Sequence, residues 1–177
     1  MRVLDRWILE ACHRLDAIGW PGAILVLACT CIVGNVAMAA GILLPLRAMG
    51  VDLGMPSGKF LLKLGYPLAV LIIAIAIPLL ETWLMQVAPF FVVRHWSGRP
   101  AVLVVTSAVL FAGGHALNSP GHALTQISGG LVLGFTYFWA SRRPPAPRPV
   151  LATWAVHGLN NLFAVSVLFT LSSLTPR

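Results

Sequence analysis

The chain has 177 residues, 58% of them hydrophobic and only 10% charged, with a mean hydropathy of +0.87. A soluble domain does not carry that balance and an integral membrane protein does. Twelve Lys and Arg against five Asp and Glu give a net charge of +7, but the basic residues stand in short clusters between apolar runs, as membrane loops do, and imply no nucleic-acid partner. Of the three cysteines, Cys29 and Cys31 lie one residue apart inside an apolar run, which makes neither a disulfide framework nor a zinc site.

In chain order, residues 1–20 place Leu4, Ile8, Ala11, Leu15 and Ile18 at helical spacing, with Arg2, Asp5, Arg6, Glu10, Arg14 and Asp16 between them. This pattern predicts an amphipathic helix lying in the membrane interface. Residues 21–177 read as a transmembrane bundle. Its apolar segments run from Pro21 to Leu46, Phe60 to Val93, Ala101 to Leu117, Ala123 to Ala140 and Val150 to Leu171, each near or above the ~20 residues a bilayer requires. The first continues past Ala37-Met38-Ala39, which resembles a signal-peptide cleavage site, and so reads as a span. The second is long for one span and contains Pro67, Pro78 and Pro89, which predicts a kinked or broken helix whose freed carbonyls find other partners. The predicted fold class is all-α: a polytopic membrane helix bundle of about five transmembrane helices plus the interfacial helix.

The loops predict an orientation. Arg2, Arg6, Arg14, Arg94, Arg99, Arg142, Arg143 and Arg148 fall on one side, and Arg47, Lys59, Lys63 and Arg177 on the other. The richer side is expected in the cytoplasm, together with the N-terminal segment, and a prokaryotic inner membrane fits so compact a chain.

Glu81 is the only acidic residue after Asp52 and stands in the second apolar run. A carboxylate at bilayer depth costs about 2.5 to 3.5 kcal/mol on the mildest insertion scale, which makes it a functional candidate. At about 1.5 Å per helical residue, Glu81 lies roughly 20 Å from Arg94, His115 roughly 24 Å from Arg99, and His157 and Asn161 roughly 14 and 20 Å from Arg148. All four fall in the middle of the bilayer, on three different helices. His157 and Asn161 share a face, as do Phe111 and His115, and Thr82 and Gln86, each pair being four residues apart. Taken singly these groups have plainer readings: a neutral structural carboxyl, core histidines, an asparagine that bonds helices together. Asn160 adjoins Asn161, and only the spacing to His157 favours the latter. His122 and Asn118 read as capping or interface residues, Gly130 and Gly134 as small-residue helix packing. The tryptophans read mainly as an aromatic belt, with Trp83 deep enough to line a cavity.

Glu81-Thr82 with Gln86, then Phe111-Ala-Gly-Gly-His115, then His157-Gly-Leu-Asn-Asn161 resemble three ordered motifs of the CAAX-protease and bacteriocin-processing family: EExxxR, FxxxH and HxxxN. These are glutamic intramembrane proteases, and the resemblance covers roughly residues 70 to 165. It implies that Glu81 and His115 activate a water, that His157 and Asn161 stabilise the oxyanion, and that Thr82, Gln86 and Phe111 support them. It implies no cofactor and no metal, since Glu and His together supply the proton transfers. The implied partners are a membrane-associated protein or peptide substrate and the lipid bilayer. The first motif departs from the family, because Thr82 and Gln86 replace a glutamate and an arginine. Losing both exchanges an ion pair for an expected neutral hydrogen bond that positions Glu81. Other functional classes stand beside the protease: a non-catalytic scaffold or immunity protein of the same fold, a metalloprotease lacking HExxH spacing, and a proton-coupled transporter.

Overall fold

The computed structural model describes residues 3–54, 59–143 and 148–174, and among these every regular element is helical. Helix α1 covers Val3–Ala17 and α2 covers Gly19–Ala48. The two are separated at Gly19, whose φ of +72° suits a residue without a Cβ. Helix α3 is short, Lys59–Leu64, and ends at Gly65, with φ +75°. Then follow α4 (Tyr66–Val93), α5 (Pro100–Ala116), α6 (Pro120–Ser141) and α7 (Arg148–Leu174).

Helices α2, α4 and α7 are long and apolar enough to cross a membrane, and α5 is a shorter apolar helix. Helix α6, the remaining expected span, is long but more polar. Its position explains the difference: it packs along α5, α2 and α7 and buries Gly129, Gly130, Gly134, Thr125 and Thr136 rather than facing lipid. A Cβ on Gly130 would lie 2.9 Å from Ala108 Cα, and one on Gly134 would lie 2.9 Å from the Val104 carbonyl oxygen. Small residues are what let the α5 and α6 backbones meet. Large exposed apolar side chains are more numerous on α2, α4, α5 and α7, among them Val33, Leu80, Val109 and Phe163, than on α6, which has Ile127 and Leu131. Cys29 is exposed and Cys31 buried, in keeping with their opposite faces on α2.

The long second apolar run is broken, as its prolines predict, and the breaks have a common form. Pro45, Pro78 and Pro89 each lie two residues beyond a π turn: Ala39–Leu43, Leu71–Ala76 and Trp83–Val87. The residue before each proline donates its N–H five residues back, from Leu44 to Ala39, Ile77 to Ile72 and Ala88 to Trp83. Widening the helix there relieves the clash between a proline ring and the preceding turn, and leaves carbonyls without an N–H donor. In α4 those carbonyls find side chains: Ile73 O accepts from Asn161 Nδ2 at 2.9 Å, Ile75 O from Trp154 Nε1 at 2.9 Å, and Met85 O from Ser107 Oγ at 2.9 Å.

Helix α1 turns a polar group as well as apolar ones toward the bundle. Asp5, Cys12 and Leu15 are buried while Leu4 and Ile18 are exposed. Asp5 Oδ1 accepts the Ala101 N–H at 3.0 Å, and Oδ2 accepts from Arg99 Nη2 at 3.1 Å and Nε at 3.3 Å. The carboxylate thereby satisfies a first-turn donor of α5 from another helix. Asp16 accepts from Trp139 Nε1 at 2.7 Å and pairs with Arg143. Trp139 is 1% exposed and packs on Trp20, so it anchors the interior and is not a belt residue. Asp5→Ala is expected to lower stability by about 1 to 3 kcal/mol, because it strands a buried helix N–H and frees Arg99. Asp5→Asn, which keeps an acceptor for Ala101, should fall between. Thermal unfolding in detergent checks the order.

Candidate active site

Glu81 stands on the short α-helical stretch Ile77–Thr82 between the two π turns of α4, three residues after Pro78. The bend that Pro78 imposes therefore decides where its carboxylate points. His115 lies in the last turn of α5 and His157 in α7. The structure brings the three together. Glu81 Oε1 is 3.8 Å from His115 Nε2, and Glu81 Oε2 is 3.3 Å from His157 Nε2. The side chains of Glu81, His115 and His157 are 23%, 12% and 3% exposed, so the cluster is largely withdrawn from its surroundings.

The histidine tautomers are constrained. His115 Nδ1 lies 2.8 Å from the Phe111 carbonyl oxygen, and a carbonyl only accepts, so Nδ1 carries the hydrogen and the neutral ring turns an Nε2 lone pair toward Glu81. Phe111, 1% exposed, wedges both imidazoles: its ring centre lies 4.5 Å from that of His115 and 5.3 Å from that of His157. It holds the two rings on opposite sides of the carboxylate.

Asn161 is engaged with the kink itself, through its bond to Ile73 O, and accepts from Asn160 Nδ2 at 3.1 Å. Thr82 and Gln86 are fully buried, but Thr82 Oγ1 and both polar atoms of Gln86 make no hydrogen bond among the described residues. The expected bond between them is therefore not formed. Trp83 is 53% exposed and lies on the outer face rather than lining a cavity.

Two neighbours of the site were not singled out by the sequence. The tight turn between α5 and α6, capped by Ser119 Oγ accepting the His122 N–H at 3.1 Å, folds His122 back so that its ring meets that of His115 edge-on, with centres 4.6 Å apart. Asn35 of α2 donates to Asn160 Oδ1 at 3.2 Å. Its signal was available, since it is an amide inside an apolar span, the same anomaly that marks Glu81. Among the described residues no group of three or more His, Cys, Asp or Glu side chains is disposed to hold a metal ion.

A helical membrane bundle with one carboxylate between two histidines from other helices defines a class of intramembrane hydrolase-like sites. The sequence model of the type II CAAX prenyl endopeptidase Rce1-like family matches residues 63–163, more than half of the chain, and the chain belongs to that family. The match runs from the end of α3 into α7 and includes Glu81, His115, His157 and Asn161, while α1 and α2 lie before it. No curated protein and no solved structure matches the chain. At the level of the family, then, the chain is a CAAX-protease-like peptidase integral to the membrane.

Proposed function

We propose that the chain is a glutamic-type intramembrane endopeptidase that hydrolyses a peptide bond of a membrane-associated protein or peptide. The observation that carries this reading is the single carboxylate approached by one histidine Nε2 at each oxygen, at 3.8 and 3.3 Å. The wider gap, between Glu81 and His115, is too long for a direct hydrogen bond and suits a bridging water about 2.8 Å from each atom.

Glu81 takes a proton from that water as its oxygen bonds to the substrate carbonyl carbon, with the carbonyl electron pair moving onto oxygen. His115, its Nε2 lone pair oriented by the Phe111 carbonyl, shares the proton. His157 Nε2 and the second amide hydrogen of Asn161 donate to the oxyanion, a role worth about 3 to 4 kcal/mol per well-placed donor in a dry site. The proton then passes to the leaving nitrogen as the C–N bond breaks. Thr82 and Gln86 support Glu81 by packing, and Phe111 by fixing both rings. Burial between helices keeps bulk water from competing for the same donors.

The name of the family points to a prenylated C-terminal segment as one substrate class. The basic segments gather on one side of the bundle through Asp5–Arg99, Asp16–Arg143 and the stacking of Arg148 on Trp20, which supports a cytoplasmic placement of α1 and a prokaryotic inner membrane as the location.

The test compares membrane-protein termini in native-host cells carrying wild-type protein or Glu81→Gln at matched abundance. Termini that vanish with Glu81→Gln are expected and identify the substrate. Identical inventories, with a deletion phenotype rescued by both proteins, would replace the protease with a scaffold or immunity role. Cleavage is further expected to persist in the presence of a chelator.

A further inference from the structure

Polar side chains, of which only Asn161 enters that mechanism, form one file across four helices. Ser128 Oγ of α6 donates to Asn35 Oδ1 of α2 at 2.8 Å, and Asn35 Nδ2 donates to Asn160 Oδ1 of α7 at 3.2 Å. Asn160 Nδ2 donates to Asn161 Oδ1 at 3.1 Å, and Asn161 Nδ2 to the Ile73 carbonyl of α4 at 2.9 Å. Every bond runs in the same sense. Turning Asn160 or Asn161 over would set oxygen against oxygen on one side and nitrogen against nitrogen on the other, and turning Asn35 would set its oxygen against Asn160 Oδ1, so each amide dictates the orientation of the next. Bonds aligned this way also polarise one another in a low-dielectric interior.

The file has room because side chains are missing beside it. A Cβ on Gly34 would lie 3.0 Å from Ser128 Cβ, and one on Gly129 would lie 3.1 Å from Asn35 Oδ1. Its far end is the carbonyl that the Pro78 bend leaves without a backbone donor, eight residues before Glu81. Its near end is the Ser128 hydroxyl and the Asn35 amide, of which Asn35 lies before the matched family region.

We infer that Asn35 is a positioning residue for the site: it fixes the orientation of the Asn160–Asn161 amides and, through Ile73, the bend that aims Glu81. This rests on the proteolytic reading above. Without the Asn35 amide hydrogen, Asn160 Oδ1 loses its donor, Asn160 is free to turn, and Asn161 is no longer held with its hydrogens toward Ile73 and the reacting carbonyl.

The experiment follows the rate at which Glu81-dependent termini form in native-host cells carrying Asn35→Leu, Asn161→Leu or both, at matched abundance. Asn35→Leu is expected to lower that rate about tenfold, the scale of one lost buried hydrogen bond. The double variant should be no slower than Asn161→Leu alone, because Asn35 acts through Asn161. Losses that multiply, or a rate unaffected by Asn35→Leu, overturn the inference. Asn35→Asp still accepts from Ser128 but has no hydrogen for Asn160, so it should be as slow as Asn35→Leu, and full activity would also overturn it. If the Asn35 variants fail to accumulate, Ser128→Ala carries the test by removing only the orienting hydroxyl. It is expected to slow the reaction a few-fold, acting on kcat and not KM for the cleaved segment in proteoliposomes, and no change in kcat overturns the inference. Termini that persist in Glu81→Gln sink the protease reading and this inference with it, whereas Glu81-dependent termini indifferent to the amide file sink this inference alone.

Discussion

Glu81→Gln is expected to lower the cleavage rate by about a thousandfold or more, the upper range for loss of a positioned general base, with no loss of thermal stability. The two halves of that expectation have one geometric origin. A carboxamide has the size of a carboxylate and suits both histidines: its oxygen accepts from His157 Nε2, and its NH2 donates to the water that bridges it to the Nε2 lone pair that the Phe111 carbonyl forces on His115. Nothing buried is left unpaired, and the cost of an acidic group at bilayer depth is removed. What the amide cannot do is take a proton from water. Glu81→Ala, by contrast, leaves two imidazoles facing empty space and is expected to lose stability as well as activity. Turnover of the cleaved segment in proteoliposomes, with thermal unfolding of the same preparations, separates the two. Glu81→Gln retaining more than about a tenth of the rate would remove Glu81 from the chemistry.

Gly158→Ala is expected to lower both stability and activity while leaving every ionisable group in place. Its new methyl carbon would lie 2.6 Å from the Ala74 carbonyl oxygen. That atom belongs to the backbone of the π turn next to Pro78, so no side chain can swing aside to relieve the contact. Helices α7 and α4 must move apart, at a cost of about 1 to 3 kcal/mol, and the movement is centred one residue from His157. A displacement of about 1 Å at a catalytic group can cost a hundredfold in rate, so activity should fall further than stability. Gly113→Ala is the matched control: it lies two residues from His115, but its added methyl meets nothing within 4 Å, and a helical Gly→Ala change at an open position is expected to be neutral or stabilising by up to about 1 kcal/mol. The neighbouring Gly114 is intermediate, since its Cβ would meet only the flexible end of Met85, at 2.8 Å. Thermal midpoints and rates for the three variants test the ranking. Equal behaviour of Gly158→Ala and Gly113→Ala would mean that the contact of α7 with the kink is unimportant.

Much of the molecule was legible before folding. The composition alone placed the chain in a membrane, and the lengths of its apolar runs anticipated the transmembrane bundle. Counting helical rise from the basic loops set Glu81, His115 and His157 at one depth, and the structure finds each histidine within 3.8 Å of Glu81. The prolines of the second run announced a break. These inferences succeed because they rest on one-dimensional quantities, hydropathy and rise per residue, that neighbouring helices do not alter.

The misplaced expectations fail for the complementary reason. The hydrogen bond expected between Thr82 and Gln86 is not formed, although both side chains are buried. Asp5 turns inward because Arg99 and the first turn of α5 await a carboxylate there, and Trp139 is interior because Asp16 receives its N–H. By itself the sequence determined that the chain folds as a helical membrane bundle and marked the polar groups set inside its apolar runs, since each segment's solvent preference is carried in its own residues. Only the tertiary structure decided which polar atoms pair, from the Ser128–Asn35–Asn160–Asn161 file to the His122 ring against His115. Those bonds depend on backbone approach at positions such as Gly34, Gly129 and Gly158 and on how each proline unwinds its helix, and both emerge only when the helices are packed together.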